Sequence, residues 1–181
     1  TINNQSGGIV NWTDGDLRSG GGGLFYNYGT FNDSAAGSGE LETVNNAFGG
    51  TALVFTNKAS GTYNKTGLGT ARFDVNFNND GTVNVDAGTL VLNGEGSASA
   101  SGVFDVDAGA TLQFDSDYSV ADAAGLTGGG AFDLTGGTLH IDGVISTDFL
   151  QDGGNIDGSF EIDGEFGWAD GSWSTTNPSA T

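Results

Sequence analysis

The chain predicts an all-β fold, a parallel β-helix (solenoid) of about eight short coils. Three observations carry that expectation. No window keeps apolar residues at i, i+3, i+4 and i+7 over several turns without a glycine interrupting it. Short apolar alternations are instead separated by Gly, Asn, Asp and Ser, which is strand-and-turn punctuation. Those alternations also recur with a long, imperfect period. The alternative is an antiparallel β-sandwich, which needs strands of about five or six residues and turn signals every 8–12 or so. Here the strands are shorter and the glycines fall inside a longer repeat, so the solenoid is the better fit.

The chain reads as one domain, 1–181: an N-terminal end coil (1–24), a repeat core (25–141) and C-terminal end coils (142–181). Near the start, "NWTDGDL" (11–17) has a partner in "GWADGSW" (167–173). Trp12, Asp14 and Gly15 match Trp168, Asp170 and Gly171 in the order Trp-x-Asp-Gly, and Trp173 is the one remaining tryptophan. Asp-Gly favours a tight turn, and a tryptophan beside it supplies apolar cover. Placed at the two ends of a solenoid, these stretches read either as caps or as seams where another unit stacks. The absence of a charged capping helix at either end favours seams.

In the core, one repeat family is "FYNYGTF" (25–31), "FTNKASGTY" (55–63) and "FNNDGTV" (77–83). Each has Phe-x-Asn, a polar spacer, then Gly-Thr and an apolar residue. Asn27, Asn57 and Asn79 would form a stacked amide ladder, with isolated turn asparagines as the plainer reading. The Gly-Thr steps read as a glycine that turns the corner and a β-branched residue that opens the next strand. A second family is "VNVDAGTLVL" (83–92), "FDVDAGATLQF" (104–114) and "FDLTGGTLHI" (132–141). Alternation turns the apolar pair of each strand inward and its Asn or Asp outward. The two families together predict one interior column of Phe25, Phe55, Phe77, Phe104 and Phe132. The stretch "SVADAAGLTGG" (119–129) supplies at most one helical turn.

"NNDGTVNV" (78–85) with "DAGTLVLNGEGSASA" (86–100) resembles the repeats of autotransporter and filamentous-haemagglutinin-like passenger proteins. That resemblance covers about 25–141 and implies a right-handed parallel β-helix, export across the Gram-negative envelope, and adhesion or surface display.

Composition narrows the function. Twenty-three acidic residues face four basic ones, for a formal charge of −19. Such a surface cannot neutralise phosphates, which argues against nucleic acid and anionic lipid as partners. No apolar run is long enough to span a bilayer, and "TINNQSGGIV" has neither a basic n-region nor an apolar h-region. Cysteine and methionine are both absent. Compositional drift would explain that, and so would an extracellular, cell-surface protein that avoids oxidisable side chains, which is the expectation here.

Candidate chemistry is sparse. His140 is the single histidine, there is no cysteine, and no Gly-x-Ser-x-Gly elbow is present, so a nucleophile triad is not expected. The i, i+2 acidic sets Asp14/Asp16, Asp105/Asp107, Asp115/Asp117 and Glu161/Asp163/Glu165 each project from one strand face. Paired carboxylates suit glycoside hydrolysis, and β-helices host polysaccharide lyases and hydrolases. A solvated face that keeps a β-rich surface unaggregated explains the same pattern with fewer requirements. Asp14, Asp16, Asp115 and Asp117 also have calcium-ligand chemistry, though none continues into a twelve-residue loop ending in Glu. Trp12, Trp168, Tyr26 and Tyr28 offer faces to cell-surface glycans, with core packing as the commoner use. An ice-binding face would need Thr-x-Thr ranks, and these threonines follow glycine singly. The expectation is therefore a non-enzymatic structural module of an extracellular fibre or adhesin. Its partners would be copies of itself or adjacent repeats, with no resident cofactor unless calcium binds.

Overall fold

The structure, a computed structural model, describes residues 1–174; residues 175–181 of the predicted C-terminal end region lie outside the described residues. It is a parallel β-solenoid of eight coils. Each coil visits three sides in the same order, and each strand pairs in parallel with its counterpart in the next coil. In the fourth coil the sides are Asn76–Asn79, Thr82–Val85 and Thr89–Leu92. The others run over 2–18, 24–45, 54–73, 96–114, 118–134, 138–151 and 155–168. The second sides of the first six coils form a six-stranded sheet. First and third sides join in a fifteen-stranded sheet, because Phe149–Asp157 runs from a third side directly into a first side. Ala123–Gly125 is a single 3-10 turn within "SVADAAGLTGG".

Coil length is uneven. In-register asparagines are 23, 30 and 22 residues apart over the early coils, and His140 and Asp157 are only 17 apart near the end. The 30-residue coil carries extra loops on either side of the strand Leu41–Asn45.

The strands form because alternate residues are apolar and point inward. Nearly every central strand reads buried at its second and fourth positions and half-buried at its first and third. The Phe-x-Asn family stacks in register: Phe25 over Phe55 over Phe77, and Phe31 over Tyr63 over Val83. Phe25 and Phe55 rings are 5.0 Å apart and 13° from parallel, and Phe55 and Phe77 are 5.2 Å and 11°. Phe31 and Tyr63 form a second stack, edge-on to the first.

The single five-phenylalanine column is corrected to three columns. Phe104 lies on a second side over Val83, and Phe132 lies on a third side over Leu112. The second repeat family misleads because its third member is displaced by one side. Phe104 and Leu112 stack on Val83 and Leu90, but Leu139 stacks on Tyr118. Apolar-x-apolar, glycine, Thr-Leu marks any corner of the coil, not one particular corner. Above Phe77 the aromatic column is interrupted by Gly96, and the Tyr118 ring leans into the space; a Cβ on Gly96 would lie 2.8 Å from it.

The Gly-Thr glycines of the Phe-x-Asn family are not selected for a left-handed backbone. Gly29, Gly61 and Gly81 lack positive φ, yet a Cβ on each would meet a carbonyl oxygen of the preceding coil at 2.2–2.3 Å. Glycine is required there because neighbouring coils touch backbone to backbone.

Asparagine amides tie the coils together. Inside, Asn4 Nδ2 donates to Asn27 Oδ1 (2.7 Å), Asn27 to Asn57 (2.8 Å) and Asn57 to Asn79 (2.9 Å). The second N–H of each goes to the carbonyl of Thr30, Thr62 or Thr82, and Asn79 donates to that of Val103. Outside, on the second sides, a second ladder runs the other way. Asn84 donates to Asn64 (2.8 Å), Asn64 to Asn32 (3.0 Å) and Asn32 to Asn11 (2.9 Å). Asn57→Ala removes the central rung of the buried ladder, leaving Asn27 Nδ2 without its acceptor, Asn79 Oδ1 without its amide donor and the Thr82 carbonyl unpaired by a side chain. A loss of about 2 kcal/mol in urea unfolding is expected, whereas Asn84→Ala at the solvated ladder's end changes stability by about 0.5 kcal/mol or less.

Candidate functional site

The two Trp-x-Asp-Gly stretches do different things. Trp12 closes the second side of the first coil: it is only 3% exposed and stacks in register on Asp33. Its Nε1 donates to the Gly15 carbonyl (2.6 Å) across the Asp14-Gly15 turn, where Gly15 takes φ 72°. The Trp12 ring thus folds over its own coil. Asp170-Gly171 is no hairpin-type turn; it sits inside the strand Phe166–Ser174, at an irregular step in its pairing with Phe149–Asp157. Gly171 is needed there because a Cβ would strike the Gly153 carbonyl and the Gln151 amide.

Trp168 and Trp173 end two interior columns. Trp168 continues the column of Phe73, Leu92, Phe114, Leu134 and Gln151; Trp173 stands on Ile156. Ile162 likewise stands on Ile145. With no further described coil above them, Trp168 and Trp173 are 58% and 46% exposed. Their rings stack at 5.0 Å and 17°, Phe166 and Phe160 pack edge-on to Trp173, and Trp173 Nε1 donates to buried Gln151 Oε1.

The opposite end has the same character. Ile2 begins the column of Phe25 and is 57% exposed, and Leu17 begins the column of Val44. Between them opens a cavity of about 170 Å³ lined by Ile2, Leu17, Phe25, Phe31, Leu53 and Phe55. Asn4, which the sequence reading missed, heads the buried ladder here.

One buried polar cluster also escaped the sequence reading. Asp33 and Lys65 are in register and wholly buried, one coil apart. Tyr63 Oη donates to Asp33 Oδ2 (2.6 Å) and the Ala35 N–H to Oδ1 (3.2 Å). Lys65 Nζ donates to the carbonyls of Gly67, Gly69 (3.1 Å) and Ala87 (3.3 Å). Burial pushes the Asp33 carboxyl up and the Lys65 ammonium down, each against the attraction of the other. The signal was the alternation in "TYNK", which assigns Lys65 to an inward position.

The calcium candidates are not gathered. Asp16 accepts from the Thr43 N–H and hydroxyl, Asp115 from the Thr135 hydroxyl and Asp117 from the Thr138 N–H. Among the described residues no three His, Asp or Glu side chains converge on a metal position. A groove of about 540 Å³ runs along first sides past Asn76, Glu95, Asp117, Ser119, His140 and Asp157. There His140 Nδ1 lies 2.6 Å from Asp157 Oδ1, and Nε2 lies 3.7 Å from Asp142. Asp105 and Asp107 do not line it; Asp105 faces out from a second side and accepts from Thr127. Tyr26 and Tyr28 lie tilted at 6.5 Å, with the Lys58 ammonium 4.9 Å over Tyr26.

Comparison with protein-family models, with curated proteins and with solved structures returns no match. Among the described residues no helix is long and apolar enough to cross a membrane.

The acidic groups set a pH dependence. Burial raises Asp33, and burial followed by the charges of Asp107 and Asp105 raises Asp86. Burial and then Asp152 raise Asp133. A raised carboxyl contributes stability that is complete below its ordinary value of 3.8 and is lost as pH rises through the folded value. Asp16, lowered by its Thr43 hydrogen bonds, acts oppositely: its contribution is present above 3.8 and lost as pH falls through its folded value. Above 3.8 Asp16 is already largely ionised in both states while the raised groups still lose protons, so thermal melting should be higher at about pH 4.5 than at about pH 7.5. Added salt should narrow the gap by screening surface repulsion.

Proposed function

We propose that the chain is a non-enzymatic structural module of an extracellular bacterial fibre or adhesin, joined end to end to neighbouring β-coil units. The observation that carries this reading is that inward columns finish in uncovered apolar side chains at both ends: Ile2 and Leu17 at one, Trp168, Trp173 and Ile162 at the other. Side chains in these positions are buried everywhere in the middle coils, so a stacked coil is the surface they are shaped to meet. The unpaired strand edges of the end coils favour the same arrangement. A long acidic exterior keeps the sides of such a rod apart while its ends join. The resemblance to haemagglutinin-like repeats supports surface display on the same grounds.

Electron microscopy and sedimentation at several concentrations and calcium levels test this. End-to-end particles whose length grows in steps of one unit are expected, and Trp168→Ala with Trp173→Ala should shift the population to single units. Strictly monomeric particles under all conditions would sink the assembly reading.

A second reading, a carbohydrate-active enzyme, is favoured by the first-side groove, which Glu95, Asp117 and Asp157 line from the fifth, sixth and eighth coils. It predicts release of reducing ends or unsaturated products from acidic polysaccharides, abolished by Asp117→Asn with Asp157→Asn. No product from the unaltered protein removes it.

A further inference from the structure

We infer that the N-terminal end face is a specific docking site for a β-coil that carries two asparagines, one inward and one outward. This rests on the end-to-end reading above and names the chemistry of the neighbour at one end. In the buried ladder every Oδ1 from Asn27 onward accepts the Nδ2 of the preceding coil. Asn4 is 7% exposed, and its Nδ2 is committed to Asn27 and to the Thr30 carbonyl. Its Oδ1 has no hydrogen-bond partner among the described residues, and the ladder's direction aims it at the uncovered end.

The outer ladder gives the complement. Asn11 Oδ1 accepts from Asn32, while its Nδ2 donates to nothing among the described residues. The end face therefore presents an inner acceptor, an outer donor and, between them, the apolar mouth bordered by Ile2, Leu17 and Phe25. A coil that satisfies all three places an inward Asn so that its Nδ2 reaches Asn4 Oδ1 and the Ile9 carbonyl, the register equivalent of Thr30. It also places an outward Asn whose Oδ1 accepts from Asn11. The chain's own third coil has this pattern in Phe55-x-Asn57 and Thr62-x-Asn64. The described part of the C-terminal end of a second copy does not. Its equivalents on the inner asparagine column are Ala98, Val120 and Ile141, and its last described rungs are aromatic. The occupant that satisfies the whole face is thus an asparagine-bearing coil of the early type, whereas the described tryptophan end of another copy meets its apolar part alone.

The test grafts a second copy of residues 54–75 ahead of Thr1 in the full chain and compares it with the same graft carrying Asn57→Ala and Asn64→Ala. Both substitutions fall in the added segment, so the native body keeps every residue. Backbone hydrogen exchange over Ile2–Asn4 and Ile9–Trp12 and the melting temperature are read together. The intact graft should slow exchange there at least tenfold and raise melting, while the alanine graft leaves both near the ungrafted values. Equal protection by the two grafts overturns the asparagine specificity while leaving apolar stacking at the ends intact. No protection by either overturns docking at this face altogether. A gain that vanishes with Trp173→Ala, and not with Asn4→Ala, overturns the assignment to the N-terminal end.

Discussion

Coil-to-coil contact in fixed register is the constraint on which the rest of this molecule depends. Strands of three or four residues have no stability of their own, and they gain almost nothing from sequence neighbours. Their backbone groups and inward side chains find partners one coil away, in the parallel ladder. Backbones can approach that closely only where glycine removes the Cβ, which is why Gly29, Gly61 and Gly81 stand beneath carbonyls of the preceding coil. The buried asparagines then fix the register. A slip of one residue would turn Asn27, Asn57 and Asn79 outward and their polar neighbours inward, and every amide bond of the column would be lost.

The two halves meet this constraint by different means. The first four coils combine amide ladders, aromatic stacks and the Asp33–Tyr63–Lys65 cluster, and all four basic residues fall between Arg18 and Arg72. Arg72 pairs with Asp74 at 2.7 Å, Lys58 with Asp80 at 3.9 Å, and Lys65 is enclosed. Beyond Arg72 the chain has no lysine or arginine, and the column that held the buried asparagines becomes aliphatic: Ala98, Val120 and Ile141 follow Asn79. Apolar columns need no partner of matched polarity, so shorter coils suffice, and spacing falls to 17 residues. The cost is a strongly acidic C-terminal half whose side faces repel one another.

What was legible in the sequence is what repeats locally. Alternation and punctuation were enough for the parallel solenoid, and Phe-x-Asn at matched offsets placed Asn27, Asn57 and Asn79 on one ladder. Asn4 was hidden because Ile2 stands where its relatives have phenylalanine, although the step Ile2-x-Asn4 keeps the pattern. The side of the coil on which a repeat falls was not legible. Glycine and threonine mark every corner alike, so Phe104 and Phe132 looked equivalent to Phe77 while lying on other sides. The likeness of the two Trp-x-Asp-Gly stretches was equally local. Burial is decided by what stacks above a residue, and Trp12 folds over its own coil where Trp168 and Trp173 have nothing described above them.

The opposed directions of the two ladders give the ends a polarity that the apolar columns alone would not. Inner amides donate toward later coils and outer amides toward earlier ones, so their stacked dipoles run antiparallel and largely cancel along the axis. At the N-terminal face the same opposition leaves an acceptor inside and a donor outside. Two copies meeting N-terminus to N-terminus would set Asn4 Oδ1 against Asn4 Oδ1 and Asn11 Nδ2 against Asn11 Nδ2, which is repulsive at both places. A neighbour that arrives in the same chain direction meets acceptor with donor instead. At the other end both ladders have already stopped, at Asn79 and Asn84, so the described surface there is aromatic and carries no rung of either ladder. The difference between the two ends follows from where the asparagines run out.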